Sequence, residues 1–253
     1  MRQYHIQLDE GDVGEYVLLP GDPARSELIA SYFDNPRHVR SNREFTTFTG
    51  TVAGVPVSVC STGIGGPSTA IAMEELCNIG AKTLVRVGTC GSLRKGVKRG
   101  DLVVMNAAVR EEGTSSQYAP LAFPAVADYG VMASLCAAAA ASGNAWHVGI
   151  TVSVDSFYTE MEPERMPIES DWRARWLGWQ RAGAIAAEME CATLYVAAAV
   201  RGVRAGGICV AVDEAGANEM PDHSELPLDT LLKTSVESLR LMIQQSAPIT
   251  AAH

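Results

Sequence analysis

The sequence predicts an α/β fold built around a mostly parallel central sheet, and three observations lead there. Short apolar runs rich in β-branched residues recur along the 253 residues. Several of these runs are nearly continuous rather than alternating, which is the pattern of strands covered on both faces. Segments with helical spacing, caps and stops lie between them. At 47% hydrophobic and 19% charged residues, the chain can bury a full core and lacks the signature of a disordered protein.

The predicted strands are Tyr16 to Leu19, Val55 to Cys60, Thr83 to Val87, Leu102 to Ala107, Val148 to Val154 and Ile208 to Val212. A helix is expected over Pro67 to Ile79, with Ser68 as its cap, Ile71, Leu76 and Ile79 on one side, and a stop at Gly80. A second, Ala-rich helix is expected from Ala187 to Val200, ending at Gly202. A third, about Leu228 to Gln244, places Leu231, Val236, Leu239 and Met242 on a stripe. The Ala137 to Asn144 stretch reads as a helix end, and Thr159 to Trp179, with its Pro and Gly breakers and three Trp, as an irregular excursion. No internal repeat or low-complexity linker divides the chain, so residues 1–253 are read as one domain.

Charge narrows the partners. Twenty Lys and Arg stand against 29 Asp and Glu, and the basic residues form no run beyond the scattered Arg94, Lys95, Lys98 and Arg99. Nucleic acid and anionic membranes are therefore poor partners, and an anionic ligand needs a local arginine site. Met1 to Glu10 has no apolar core of signal-peptide length, and no stretch approaches a transmembrane span. The six cysteines mostly sit inside apolar segments without CxxC pairs or Cys/His clusters. The expectation is a cytoplasmic protein with reduced, packed thiols and no structural zinc.

Five strings can carry chemistry. Leu18 to Arg25 is a strand running into a Gly21-Asp22-Pro23 turn, where glycine lets an anion approach the backbone and Arg25 offers a fork of donors; a plain turn with a surface arginine is the alternative. Cys60 to Ser68 is a strand, a glycine-rich turn and a helix start, matching neither a Walker loop nor a GxGxxG fingerprint. Its helix N-terminus suits phosphate or a sugar oxygen, or serves simply as a tight turn. In Leu84 to Ser92, Arg86 stands in an otherwise apolar strand and is costly to bury unless it meets an anion or an internal acid; Thr89 can add a hydroxyl. Glu188 and Glu190 flank Met189 at a helix start, complementing the helix dipole or accepting from sugar hydroxyls. Asp213 ends an apolar strand, where α/β sheets gather ligands, or else caps a helix.

Together with Asn42-Arg43-Glu44-Phe45 and Asp155-Ser156-Phe157-Tyr158, these strings, in this order, resemble the nucleoside phosphorylase-I family, in its uridine phosphorylase and hexameric purine nucleoside phosphorylase branch. The resemblance implies a single α/β domain with a central mixed β-sheet flanked by helices. It implies phosphate at Gly21, Arg25, Arg86 and Thr89, joined by Arg43 from a neighbouring subunit. Ribose is implied at Glu190 and Met189, with His5 reaching the 5′-hydroxyl, and the base at Phe157, Glu188 and Asp213. The implied reaction is attack of phosphate on the anomeric carbon, with no metal or further cofactor. The implied assembly is a homo-oligomer, a hexamer built as a trimer of dimers. Hydrolases of the superfamily lack the phosphate arginines, all of which are present here.

The base follows from departures. Uridine phosphorylases carry a Gln-x-Arg pair where this chain has Met161 and Pro163, and purine members place an Asp where Asp213 stands. Arg99 to Glu111 and Phe123 to Val126 look particularly like protozoan-type purine nucleoside phosphorylases. Inosine and guanosine are thus the expected substrates, with uridine in an atypical pocket as the alternative, and a non-catalytic nucleoside-binding protein as the second. No arginine supporting Asp213 is evident, and Glu214 to Leu226 is the expected lid.

Overall fold

Strand β1 (Tyr16–Pro20) shows how the alternation of side chains builds the two sides of the sheet. Val17 and Leu19 enter one buried cluster, while Tyr16 and Leu18 enter another on the opposite face. The continuous apolar runs of β5 (Thr83–Ser92) and β10 (Arg204–Ala211) divide in the same way, as strands buried on both faces must. The computed structural model describes residues 1–215 and 226–246. The expected lid thus falls mostly outside the described residues.

One mixed sheet carries all ten described strands. Besides β1, β5 and β10 these are β2 (Asp34–Asn42), β3 (Phe45–Val52), β4 (Val55–Cys60), β6 (Leu102–Glu111), β7 (Ala125–Val126), β8 (Trp146–Val154) and β9 (Ala186–Glu188). The order is β10-β6-β8-β9-β5-β1-β4-β3-β2, and β10 also pairs with β5. That extra pairing closes β5, β9, β8, β6 and β10 into a ring. β1 runs parallel to both β4 and β5, and β10 is parallel to β5, so these four strands end on one side.

Helices α2 (Gly66–Asn78) and α6 (Cys191–Arg201) cover the face that carries Leu84 and Cys90. Helices α1 (Pro23–Ala30), α3 (Tyr129–Ala141) and α7 (Leu228–Ser246) cover the other. The stripe expected on the last helix is the one buried: Leu231, Val236, Leu239 and Met242 are at most 4% exposed.

Three local expectations are corrected. The segment from Ala187 starts as strand β9, because Ala186 and Ala187 pair with Ser92 and Gly91; α6 begins only at Cys191. Glu188 accepts the N–H groups of Glu190 and Cys191, which starts the helix there. Ser68 is not the cap of α2; Gly65 is, at φ +90°, where a side chain would be strained. Ser68 instead lies against the Thr62 carbonyl and 2.8 Å from Oε1 of Glu44. The excursion after Thr159 is largely ordered helix: α4 (Tyr158–Met161) and then α5 (Glu169–Arg181), whose Trp176 is buried. Among the described residues, no helix is long and apolar enough to cross a membrane.

Candidate active site

Because β1, β4, β5 and β10 end on one side, the turns that follow them meet there, and between them opens a cavity of about 710 Å³. This is where an α/β sheet concentrates unsatisfied backbone donors and loop residues. Gly21, Arg25, Arg86, Thr89, Phe157, Glu188, Met189, Glu190 and Asp213 all line it.

One end is cationic. Arg86 sits on β5 opposite Leu19 of β1 and Gly207 of β10, on the α2/α6 face, and is 6% exposed. Its Nε meets Oε2 of Glu188 at 3.1 Å, and its Nη2 pairs with Oε2 of Glu190. The internal ion pair foreseen as the alternative is therefore real, but it leaves a donor over: buried Nη1 has no hydrogen-bond partner. Burial opposes the charge on Arg86, yet Glu190 and Glu188 outweigh it and hold its pKa above the ordinary value. A Cβ on Gly21 would lie 3.8 Å from Nη1 and 3.2 Å from the Gly63 carbonyl, so glycine keeps that approach open. Arg25 is partly buried, and its pKa is lowered, first by burial and also by Arg86; Asp22 counters this. Two cations with an unspent buried donor make a site for an anion.

The middle is carboxylate. Oε1 of Glu190 accepts the Gly65 N–H at 2.6 Å. The glycine loop thus gives that donor to Glu190 rather than to a ligand. Oε2 lies against Arg86 without hydrogen-bond alignment. Burial pushes the Glu190 carboxyl up while Arg86 draws it down. Its neighbour Glu188, expected at the base, turns both oxygens into the protein: Oε2 takes Arg86, Glu190 N and Cys191 N, and Oε1 takes the Ser153 hydroxyl. That geometry positions Arg86 and Glu190. Met189 is partly buried against the small apolar cluster that includes Val152, Val154 and Trp176.

The far end holds Phe157, 36% exposed and edge-on to Tyr158, with Asp213, Met161 and Glu160. Asp213 accepts the Ser92 N–H at 2.6 Å through Oδ1, while burial pushes its carboxyl up. Glu160 was not singled out in the sequence. Its pKa is pushed up to about 7, first by burial and then by Asp213. Its one visible signal was an acid three residues after Phe157, in a segment whose helical character the breakers obscured.

Two expected residues lie away from this chain's cavity. His5 is tied to Glu75, which accepts its Nδ1 at 2.6 Å and its backbone N–H. Arg43 is exposed at the turn between β2 and β3, at φ +54°.

The cavity at the strand ends is thus cationic at one end, carboxylate in its middle and partly aromatic at the far end. The sequence matches the phosphorylase superfamily over residues 15–243, and the chain belongs to it. It is 42% identical to a uridine phosphorylase of Treponema pallidum (strain Nichols), over 97% of this chain and 96% of that protein. A uridine phosphorylase of Thermococcus kodakarensis is 48% identical over 88% of this chain and 81% of its own length. A guanosine phosphorylase of Halorubrum lacusprofundi is 37% identical over 94% of this chain and 98% of its own.

Proposed function

We propose that the chain catalyses phosphorolysis of a nucleoside to free base and ribose 1-phosphate, with uridine the first-choice substrate. The buried, pre-positioned Arg86 with its unspent Nη1, beside Arg25, carries the phosphate part of this reading. Thr89 and the open approach at Gly21 complete the phosphate's surroundings. Phosphate attacks the anomeric carbon while Glu190 accepts from the ribose hydroxyls and Met189 packs on the sugar. As the C–N bond breaks, the bound phosphate stabilises the cationic sugar and carboxyl groups near Phe157 take up the charge of the leaving base. Phosphate is a co-substrate, and the reading calls for no metal or other cofactor.

Uridine stands first because a bacterial relative 42% identical and an archaeal relative 48% identical are named for it. This reverses the order expected from Met161 and Pro163, which lack the polar groups of the uridine branch's pair. Glu160 and Asp213 place polar atoms in the cavity that Met161 cannot supply, so the lack of that pair does not by itself count against uracil. The 6-oxopurine reading keeps support from Asp213 and from the guanosine phosphorylase relative. Arg43 and His5 are proposed to complete a neighbouring subunit's site in a hexamer, since each lies off its own cavity.

The test is release of base from uridine, inosine, guanosine and adenosine, with and without phosphate, beside Asp213→Ala. Phosphate-dependent cleavage with uridine fastest supports the proposal. Inosine or guanosine fastest, collapsing in the variant, restores the purine reading. No cleavage with any of the four leaves a nucleoside-binding protein.

A further inference from the structure

We propose that Glu160 and Asp213 act as one carboxyl pair at the base end, sharing a single proton, with Glu160 donating it to a carbonyl oxygen of the nucleobase and Asp213 accepting the adjacent ring N–H. The inference rests on the proposed function and deepens it, by assigning the group that neutralises the leaving base.

The geometry begins at Gly91. A Cβ there would lie 3.7 Å from Oε1 of Glu160 and 3.7 Å from Oδ2 of Asp213, so both carboxyls converge on one glycine that leaves them room. Asp213 spends Oδ1 on the Ser92 N–H, leaving Oδ2 for a ligand. The Glu160 carboxyl has no hydrogen-bond or ion-pair partner among the described residues. Both residues line the main cavity and also a second one of about 600 Å³ behind it, so with Met161 they form the wall between the two.

The surrounding charges do not relieve the pair. Glu164 and Glu214 face it from the second cavity. Arg173 of α5 also lines that cavity, but it is tied to Glu169 at 2.7 Å and to Glu164 at 3.6 Å. On the other side Arg86 is held by Glu188 and Glu190. Two carboxyls close together with no counter-ion of their own keep a proton, as coupled acid pairs do. Burial, and after it the neighbouring Asp213, pushes Glu160 up to about 7, and burial raises Asp213.

The pair matches an edge that uracil and 6-oxopurines share: a ring N–H beside a carbonyl. In the step, a phosphate oxygen forms its bond to the anomeric carbon as the C–N bond breaks. The bonding electrons pass to the base and are delocalised to its carbonyl oxygen. The Glu160 proton moves there, so the base leaves neutral, and the pair regains a proton from water.

The experiment compares kcat/KM for uridine and guanosine at saturating phosphate, from below to above about pH 7, in wild type, Glu160→Gln and Glu160→Ala. In wild type the rate falls on the alkaline side as the pair loses its proton. Glu160→Gln keeps a hydrogen-bond donor but has no proton to transfer, so its rate drops below that of wild type and its alkaline fall disappears. Glu160→Ala loses the donor, and about 10²–10⁴-fold in rate is expected to go with it. Unchanged rate and unchanged alkaline fall in both variants would overturn the pair. Should the Ala variant fail to fold, the Gln profile alone decides. If wild type cleaves no nucleoside, the functional proposal fails, and calorimetric binding of free uracil and guanine still tests the pair: binding weakened in Glu160→Gln above about pH 7 no more than below it supports it, and equal binding by wild type and Glu160→Ala at every pH overturns it.

Discussion

Nε of Arg86 lies 3.1 Å from Oε2 of Glu188, and that same oxygen accepts the N–H groups of Glu190 and Cys191 at 2.8 and 2.9 Å. One carboxylate therefore ties a charged residue in the sheet to the first turn of α6. Arg86 and Glu190, which line neighbouring parts of the cavity, thus belong to one network.

Glu188→Ala is expected to lower stability by about 3–5 kcal/mol, because it leaves a buried guanidinium short of a partner and frees the start of α6. Urea unfolding measures the loss. In the folded fraction the KM for phosphate should rise more than the KM for nucleoside. Equal rises would show that Glu188 does not hold Arg86 for phosphate.

Gly88→Ala tests the same arginine from behind. A Cβ at this position would come within 2.7 Å of Nη2 and 2.8 Å of Cζ of Arg86. The guanidinium cannot swing aside freely, since Glu188 and Glu190 hold it. A displacement of about 1 Å at a positioned group can cost roughly 10²-fold in rate, and a loss of that order is expected here, with the circular dichroism spectrum unchanged. Wild-type phosphate kinetics in this variant would remove Arg86 from the anion site.

Stability should depend on pH through Glu160. Its carboxyl titrates near 4.5 in the unfolded chain and about 7 in the folded one. The folded state thus binds the extra proton between these values, and the contribution to stability, complete below about 4.5, is lost as pH rises through about 7. Glu160→Gln carries no such loss. Relative to wild type it should gain about 1–3 kcal/mol between acid and alkaline conditions, read by urea unfolding at each. A difference between the two proteins that does not change with pH would contradict this.

If Arg43 and His5 serve a neighbour's cavity, inactive variants should complement each other. Arg43→Ala and Asp213→Ala, each of low activity alone, are mixed, dissociated and reassembled. Some mixed interfaces then pair an intact Arg43 with an intact Asp213, so activity should rise above the sum of the parts. Reassembled hetero-oligomers with no gain would place Arg43 outside the catalytic assembly. Glu75→Ala, which releases the backbone and ring of His5, should mimic loss of His5 in the same assay.

The sequence by itself determined the parts of this protein that depend on near neighbours. Continuous apolar runs marked β1, β4, β5, β6, β8 and β10 because a strand buried on both faces has no polar side to show. Glycine and a buried-strand arginine pointed to the anion end, since both are costly without a purpose. What stayed hidden was set by distant pairings. The closure of the ring through β10 and β5 and the short β9 depend on contacts between residues 94 to 121 positions apart, which no local pattern records. Ser68 lost its capping role because Gly65 already occupied the left-handed position and gave its N–H to Glu190. The polar hairpin β2–β3 has exposed residues along β2 and so no apolar run to announce it. Glu160 reads in sequence as one acid among 29; only the meeting of α4 with the ends of β5 and β10 sets it beside Asp213, half-buried and, among the described residues, without a cation. Tertiary structure decides such a residue because its chemistry comes from which charges surround it, and those arrive from different parts of the chain.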